Sequence, residues 1–179
     1  MSLKLSFKIC IVGEPAVGKT SLIIRYIENK FQENYIPTLG VDFLTKKIIV
    51  GKSNTPVNLI IWDIGGDKIW KERLHLYVRG ADGVLIIYDV TRLTTFQQSL
   101  EFWINQIEKY AGKIPFMLVG NKNDLEELRK ITYDQAVSEL KKKGINDLLE
   151  TSAKTGDTVN EMFHKIAEKI IIQKAKLRH

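Results

Sequence analysis

The sequence predicts an α/β fold: a mixed six-stranded sheet with one antiparallel strand and helices on both faces. Three observations predict it. Apolar runs alternate with helical patterns along the chain, as a parallel sheet with crossover helices requires. One pair of runs, Val41 to Val50 and Pro56 to Ile64, is joined only by Gly51-Lys52-Ser53-Asn54-Thr55. That polar connection is too short for a crossover helix, so the pair is an antiparallel hairpin. Finally, Gly13-Glu14-Pro15-Ala16-Val17-Gly18-Lys19-Thr20 matches the phosphate-loop pattern G-x-x-x-x-G-K-[ST], between a strand-like run and a helix-like one.

The elements follow in order. Phe7 to Val12 is a buried strand, and Ser21 to Ile27 suits a helix. Glu28 to Leu39 is polar, contains Pro37 and lacks periodicity, so it reads as a loop. After the hairpin, Lys68 to Tyr77 is irregular and suits a short helix. Gly83 to Asp89 is a buried strand. Thr95 to Tyr110 is a helix with Phe96, Leu100, Trp103, Ile104 and Ile107 on one stripe, capped by Thr94 or Thr95. Pro115 to Gly120 is a strand, Thr132 to Lys143 a helix ended by Gly144, and Asp147 to Thr151 a short last strand. Asp157 to about Lys176 is the final helix, with Val159, Met162, Phe163, Ile166 and Ile170 facing the core.

The 179 residues suit one domain with a sizeable core, and 44% hydrophobic and 27% charged residues are ordinary for a globular chain. No apolar run approaches the length of a membrane span and no signal peptide is evident. Cys10 is the single cysteine, so no intramolecular disulfide forms; it reads as a small buried hydrophobe in an intracellular, cytoplasmic chain. The net charge of +6 is spread along the sequence without an aromatic-interleaved basic stripe, which argues against a nucleic-acid partner.

In a doubly wound sheet the ligand sits at the carboxyl ends of the strands. The phosphate loop occupies one such end. Backbone N–H groups there turn inward around phosphate, helped by the positive end of the following helix. Lys19 would reach the β- and γ-phosphates, and the Thr20 hydroxyl would coordinate Mg2+. Asp63 ends a second strand, where its carboxylate would hold the magnesium through water, and the N–H of Gly66 would face a γ-phosphate. A third strand ends in Asn121-Lys122-Asn123-Asp124. Guanine presents two adjacent donors, N1–H and N2–H, that one carboxylate accepts together, and adenine offers no such pair. Asp124 is therefore a guanine selector, with the Lys122 stem along the ring face. A fourth strand ends in Ser152-Ala153-Lys154, where the Ala153 N–H would donate to guanine O6.

With these motifs in this order, residues of about 6 to 173 resemble a small GTPase of the Ras superfamily with the phosphate-loop NTPase fold. The chain is most similar to the Rab branch through Thr38-Leu39-Gly40-Val41-Asp42-Phe43, Ile61-Trp62-Asp63, Tyr77-Val78-Arg79-Gly80-Ala81 and Tyr88-Asp89-Val90-Thr91. The resemblance implies a GTP/GDP switch that hydrolyses GTP, with Mg2+ as cofactor. Its nucleotide set would take in Glu14 to Ser21, Phe31 edge-on to the base, Tyr35, Thr38, Gly66, Asn121, Lys122, Asp124 and Ser152 to Lys154. Thr38 would bind magnesium through its hydroxyl and the γ-phosphate through its N–H. About Phe31 to Leu39 and about Gly65 to Leu76 would be the two switches, ordered by GTP. Effectors, an exchange factor and a GTPase-activating protein are the implied partners of a monomeric chain working in membrane trafficking or related signalling.

The sequence departs from that pattern in three places. The second switch reads Asp63-Ile64-Gly65-Gly66-Asp67-Lys68, which puts Asp67 where the family has the glutamine that orients the attacking water. An aspartate is shorter, lacks an amide donor, and brings a negative charge toward the γ-phosphate. Like charges about 4 Å apart in a partly screened site repel by at most about 4 kcal/mol. Slow intrinsic hydrolysis is the expectation, with a GTP-holding binding module as the alternative. Pro15 replaces a small residue in the phosphate loop, fixing φ and removing one N–H. The chain ends Lys174-Ala175-Lys176-Leu177-Arg178-His179 without a cysteine to prenylate, and residue 2 is Ser2 rather than the glycine of a myristoylation signal. Either the protein lacks a lipid anchor, or it is peripheral on a membrane through a lipidated tail beyond this chain.

Overall fold

The computed structural model describes residues 5–32 and 40–177. Six strands form one sheet in the order β2-β3-β1-β4-β5-β6. They are β1 Leu5–Gly13, β2 Val41–Val50, β3 Thr55–Ile64, β4 Gly83–Asp89, β5 Phe116–Asn121 and β6 Leu148–Glu150. β2 pairs antiparallel with β3, Val41 opposite Ile64, and every other pairing is parallel. The mixed sheet with its one antiparallel edge strand is the expected one.

The pleat divides the core in two. On β1, Ile9 and Ile11 face one layer while Cys10 and Val12 face the other. The first layer is closed by α1 (Lys19–Glu28) and α7 (Val159–Lys176), through Leu22, Ile23, Tyr26, Phe163 and Ile166. The second is closed by α3 (Leu74–Val78), the helix running from α4 (Leu93–Gln98) into α5 (Ile104–Ala111), and α6 (Tyr133–Lys142). β4 is buried along its whole length, which is why it reads as an unbroken apolar run. Burial pushes the Cys10 thiol up to about 12, so it packs as an inert small hydrophobe. No described helix is long and apolar enough to cross a membrane.

Several boundaries differ from expectation for local reasons. The irregular stretch 68–77 is two short helices, α2 (Lys68–Glu72) and α3. The helix expected from Thr95 begins at Leu93 and contains a π turn at Ser99–Trp103. Neither Thr94 nor Thr95 caps it: Arg92 is the N-cap, without a side-chain cap bond. Thr95 lies inside the first turn, where its hydroxyl donates to Arg92 O (2.7 Å) and accepts from Asp89 N–H (3.0 Å), tying the helix to the end of β4. α6 is framed as expected. Thr132 and Gln135 form a reciprocal capping box, and at the other end Gly144 (φ +72°) and Ile145 donate to Lys141 O and Leu140 O. α7 starts at Val159 rather than Asp157, because Thr158 takes a left-handed φ and its hydroxyl donates to Glu150 O at the end of β6.

Candidate nucleotide and metal site

The phosphate loop joins β1 to α1. Gly18 takes φ +99°, and a Cβ there would lie 2.2 Å from Asn121 Nδ2, so this turn is closed to other residues. Lys19 is buried and folds back over the loop, donating to Gly13 O and Glu14 O at 3.0 Å each. Burial pushes its ammonium down to about 8, against the attraction of Asp63, Glu14 and Asp67. A cation held in a loop of inward-facing backbone, short of counter-charge, is built to receive an anion.

Thr20 Oγ1 donates to Asp63 Oδ2 at 2.5 Å, joining the start of α1 to the end of β3. Asp63 is 2% exposed, and its Oδ1 has no hydrogen-bond partner among the described residues. Burial raises its pKa, opposed by the Thr20 hydrogen bond and the Lys19 charge. A buried carboxylate oxygen without a donor, beside a hydroxyl, suits a hard divalent cation such as magnesium. The residues present fit that ion.

Gly66 lies against the loop. A Cβ on it would meet Gly13 O at 2.5 Å and the backbone of Glu14 and Pro15 at 2.6 Å. Asp67 follows at the N-terminus of α2, exposed and without a capping bond, yet near enough to Lys19 to raise its pKa.

A cleft of about 410 Å³ opens beyond the loop. One wall is Ala16, Gly18 and Ser21; the facing wall is Asn121, Lys122, Asp124, Ala153 and Lys154, with Phe31 at the side. Asn121 is buried, donates to Val17 O (2.9 Å) and accepts from the Ala153 N–H (3.2 Å). The N–H expected to meet guanine O6 is thus bonded to the Asn121 side chain in this structure. Lys122 Nζ donates to Ala16 O (3.0 Å) and Asp89 Oδ2 (2.6 Å), so its stem is left as cleft wall. Ser152 does not line the cleft. It stands behind Asp124, donating to Oδ1 at 2.6 Å and accepting from Thr155 N–H at 3.0 Å. Glu14 likewise turns its carboxylate to Trp103 and Lys71. Tyr35 and Thr38 lie outside the described residues.

Sequence reasoning missed Asp89, Arg92, Gln32 and Leu125. Gln32 and Leu125 complete the cleft lining. Asp89 ends β4 and pairs with both Lys122 and Arg92, whose Nη2 donates to Pro15 O (2.9 Å). The signal that found Asp63, a carboxylate ending a buried strand, was present for Asp89 too.

A sequence model of the Ras family matches residues 8–172. The chain belongs to the Ras family. Among similar proteins, human "Ras-related protein Rab-21" is 39% identical over 171 residues, 93% of this chain and 72% of that one. Mouse "Ras-related protein Rab-17" is 37% identical over 166 residues, 92% and 75%. "Ras-related protein Rab-1" of Theileria parva is 37% identical over 163 residues, 90% and 73%. Within the Ras family the chain is Rab-like, and the six-stranded sheet is the small GTPase fold.

Proposed function

We propose that this Ras-family chain is a single GTPase domain, its core about residues 6–173, that binds GTP and GDP with Mg2+ and hydrolyses GTP slowly. The observation that carries the proposal is the shared cleft: loop residues Ala16 and Gly18 line one cavity with Asn121, Lys122 and Asp124. In this reading Asp124 accepts the guanine N1–H and N2–H, with Ser152 fixing the carboxylate's orientation. The Lys122 stem and Phe31 flank the ring, and Ala153 and Lys154 close its edge. The N–H groups from Glu14 to Ser21, save Pro15, cradle the phosphates with Lys19. Tyr35 belongs to the same nucleotide set. Thr20, Thr38 and Asp63 would hold magnesium, which supplies charge neutralisation between the β- and γ-phosphates.

Hydrolysis is in-line attack of water on the γ-phosphorus, which breaks its bond to the bridging oxygen and releases GDP and inorganic phosphate. The Lys19 ammonium and the Gly66 N–H stabilise the charge that develops on the departing phosphoryl group. No glutamine orients the water. Asp67, near Lys19, is the side chain in its place, and its carboxylate opposes the charge that the reaction builds. The protein therefore dwells in its GTP state and works as a trafficking switch through effectors that read the two switches, in the cytoplasm or peripheral to a membrane. An exchange factor and a GTPase-activating protein would set its cycle.

Single-turnover hydrolysis by the natural chain beside Asp67→Gln tests the reading. The glutamine variant should be faster by about tenfold or more, since a positioned water-orienting group contributes at least that much. Equal rates would mean that another group orients the water. No turnover in either chain would favour the GTP-holding binding module.

A further inference from the structure

One side-chain cluster beside the cleft has no part in the reaction described above. Glu14, second in the phosphate loop, has its Oε1 paired with Lys71 Nζ at 2.6 Å and accepts from Trp103 Nε1 at 3.0 Å. Three elements meet on that one carboxylate: the loop, α2, and the long helix at its π turn. The pair is shielded, with side chains 16% and 23% exposed, and Lys71 Nζ also lies 5.2 Å and 5.5 Å from the Phe102 and Trp103 ring centroids. Trp103 is fully buried and ends the π turn, the extra-residue twist that recurs at functional sites.

The cluster matters because α2 is otherwise held chiefly through Trp70, which packs half-buried against the second core layer with its ring 5.9 Å from that of Tyr77. The helix is five residues long and none of them is buried, and a single turn of that length does not persist alone. Its contacts lie to either side. Trp70 covers Gly65, where a Cβ would come within 2.4 Å of the indole Cδ1. Lys71 reaches Glu14, and its own N–H donates to Asp67 O at 3.0 Å. Lys71 is thus fixed to the loop at one end and to Asp67 at the other. An exposed ion pair would contribute little. This one shares its carboxylate with a buried indole N–H and lies against two rings, so removing the cation leaves a shielded carboxylate short of a partner.

The geometry points to Lys71 and Glu14 as positioning residues that dock α2 on the phosphate loop and so set where Gly66 and Asp67 stand during hydrolysis. The inference rests on the GTPase reading above.

The test uses Lys71→Met, which keeps the aliphatic stem and removes the charge, and Lys71→Arg, which restores it. Amide hydrogen exchange over residues 68–78 of the purified natural chain should quicken about fivefold or more with Met and return with Arg. In the Asp67→Gln background, single-turnover hydrolysis should fall about fivefold or more with Met while GDP affinity stays within about twofold, and Arg should restore the rate. Unchanged exchange in Lys71→Met overturns the proposal, as does quickened exchange with an unchanged hydrolysis rate, or failure of Arg to rescue. Failure of the natural chain to bind guanine nucleotide would instead overturn the GTPase reading, while the exchange measurement would still decide whether Lys71 docks α2.

Discussion

At the base end of the cleft, the polar side chains that would face a purine are themselves held by protein. Asn121 is bonded at both ends of its amide, Lys122 is tied by Ala16 O and Asp89, and Asp124 is oriented by Ser152. At the phosphate end the corresponding groups ride on Gly65, Gly66 and Asp67, with a helix of five residues behind them, none fully buried and only Trp70 and Lys71 half-buried. In the proposed reading the rigid end recognises and the loosely supported end responds. The low-stability parts of a fold are where switching is affordable, because little packing is lost when they move. The contrast also says which substitutions should act on affinity and which on rate.

The largest effect expected at the rigid end is on affinity. Asp124→Ala removes the proposed acceptor for both guanine donors and leaves Ser152 without its carboxylate partner. Two charge-assisted hydrogen bonds are lost, a penalty of about 3 kcal/mol or more and hence over about a hundredfold in GDP affinity. Titration with a fluorescent GDP analogue checks it, and thermal unfolding of the nucleotide-free variant separates the loss from misfolding. A loss of less than about tenfold would remove Asp124 from the site.

At the loosely supported end the effect should fall on rate. Gly66→Ala places a Cβ 2.5 Å from Gly13 O and 2.6 Å from the backbone of Glu14 and Pro15, none of which is the far end of a flexible side chain. The second switch must then back away from the loop, taking its N–H from the γ-phosphate. Loss of one such positioned donor slows chemistry by about a hundredfold where it has been measured, so hydrolysis should fall by at least about tenfold, with GDP affinity much less affected. Comparing single-turnover rates with GDP dissociation rates would show it. A matched fall in both would mean that Gly66 supports the loop and not the reaction.

The same contrast explains what could be read from the sequence. The strands were legible because β4 and β5 are apolar runs and β3 carries one in Leu59-Ile60-Ile61-Trp62, and the loop motif fixed the position of the site against them. The strand-end rule then found Asp63, Asn121 and Asp124. It did not find Asp89, although Asp89 ends β4 in the same way: Arg92 pairs with it from three residues on, but Lys122, the partner that ties it to the cleft, comes from a separate part of the chain. The π turn was illegible for a related reason. Phe96, Leu100, Trp103, Ile104 and Ile107 fit a regular stripe, and only the fold shows that an added residue carries Trp103 to Glu14. Thr95 read as a cap because its residue type suits one, yet the end of β4 claims its hydroxyl. Short polar signals are ambiguous wherever a long-range partner competes with a local one.

The smallest expected effect joins the two ends through one proton. Burial holds the Lys19 ammonium at about 8 without a bound anion, while an unfolded lysine titrates at about 10.4. A group lowered on folding takes stability away when charged, so the nucleotide-free chain should gain stability as pH rises through 8 toward the unfolded value. Bound phosphate reverses the balance, since an anion beside Lys19 favours the ammonium. Nucleotide binding between about pH 8.5 and 9.5 should therefore take up close to one proton, and affinity should weaken as pH climbs through that window. Calorimetry in buffers of different ionisation enthalpy counts the proton directly. Lys19→Met should abolish the uptake, whereas Asp124→Ala, at the far end of the cleft, should leave it intact at whatever nucleotide concentration still saturates. Uptake that disappears in Asp124→Ala as well would show that the base end and the phosphate end do not act as separate regions, and that the loop's electrostatics depend on how the base is seated.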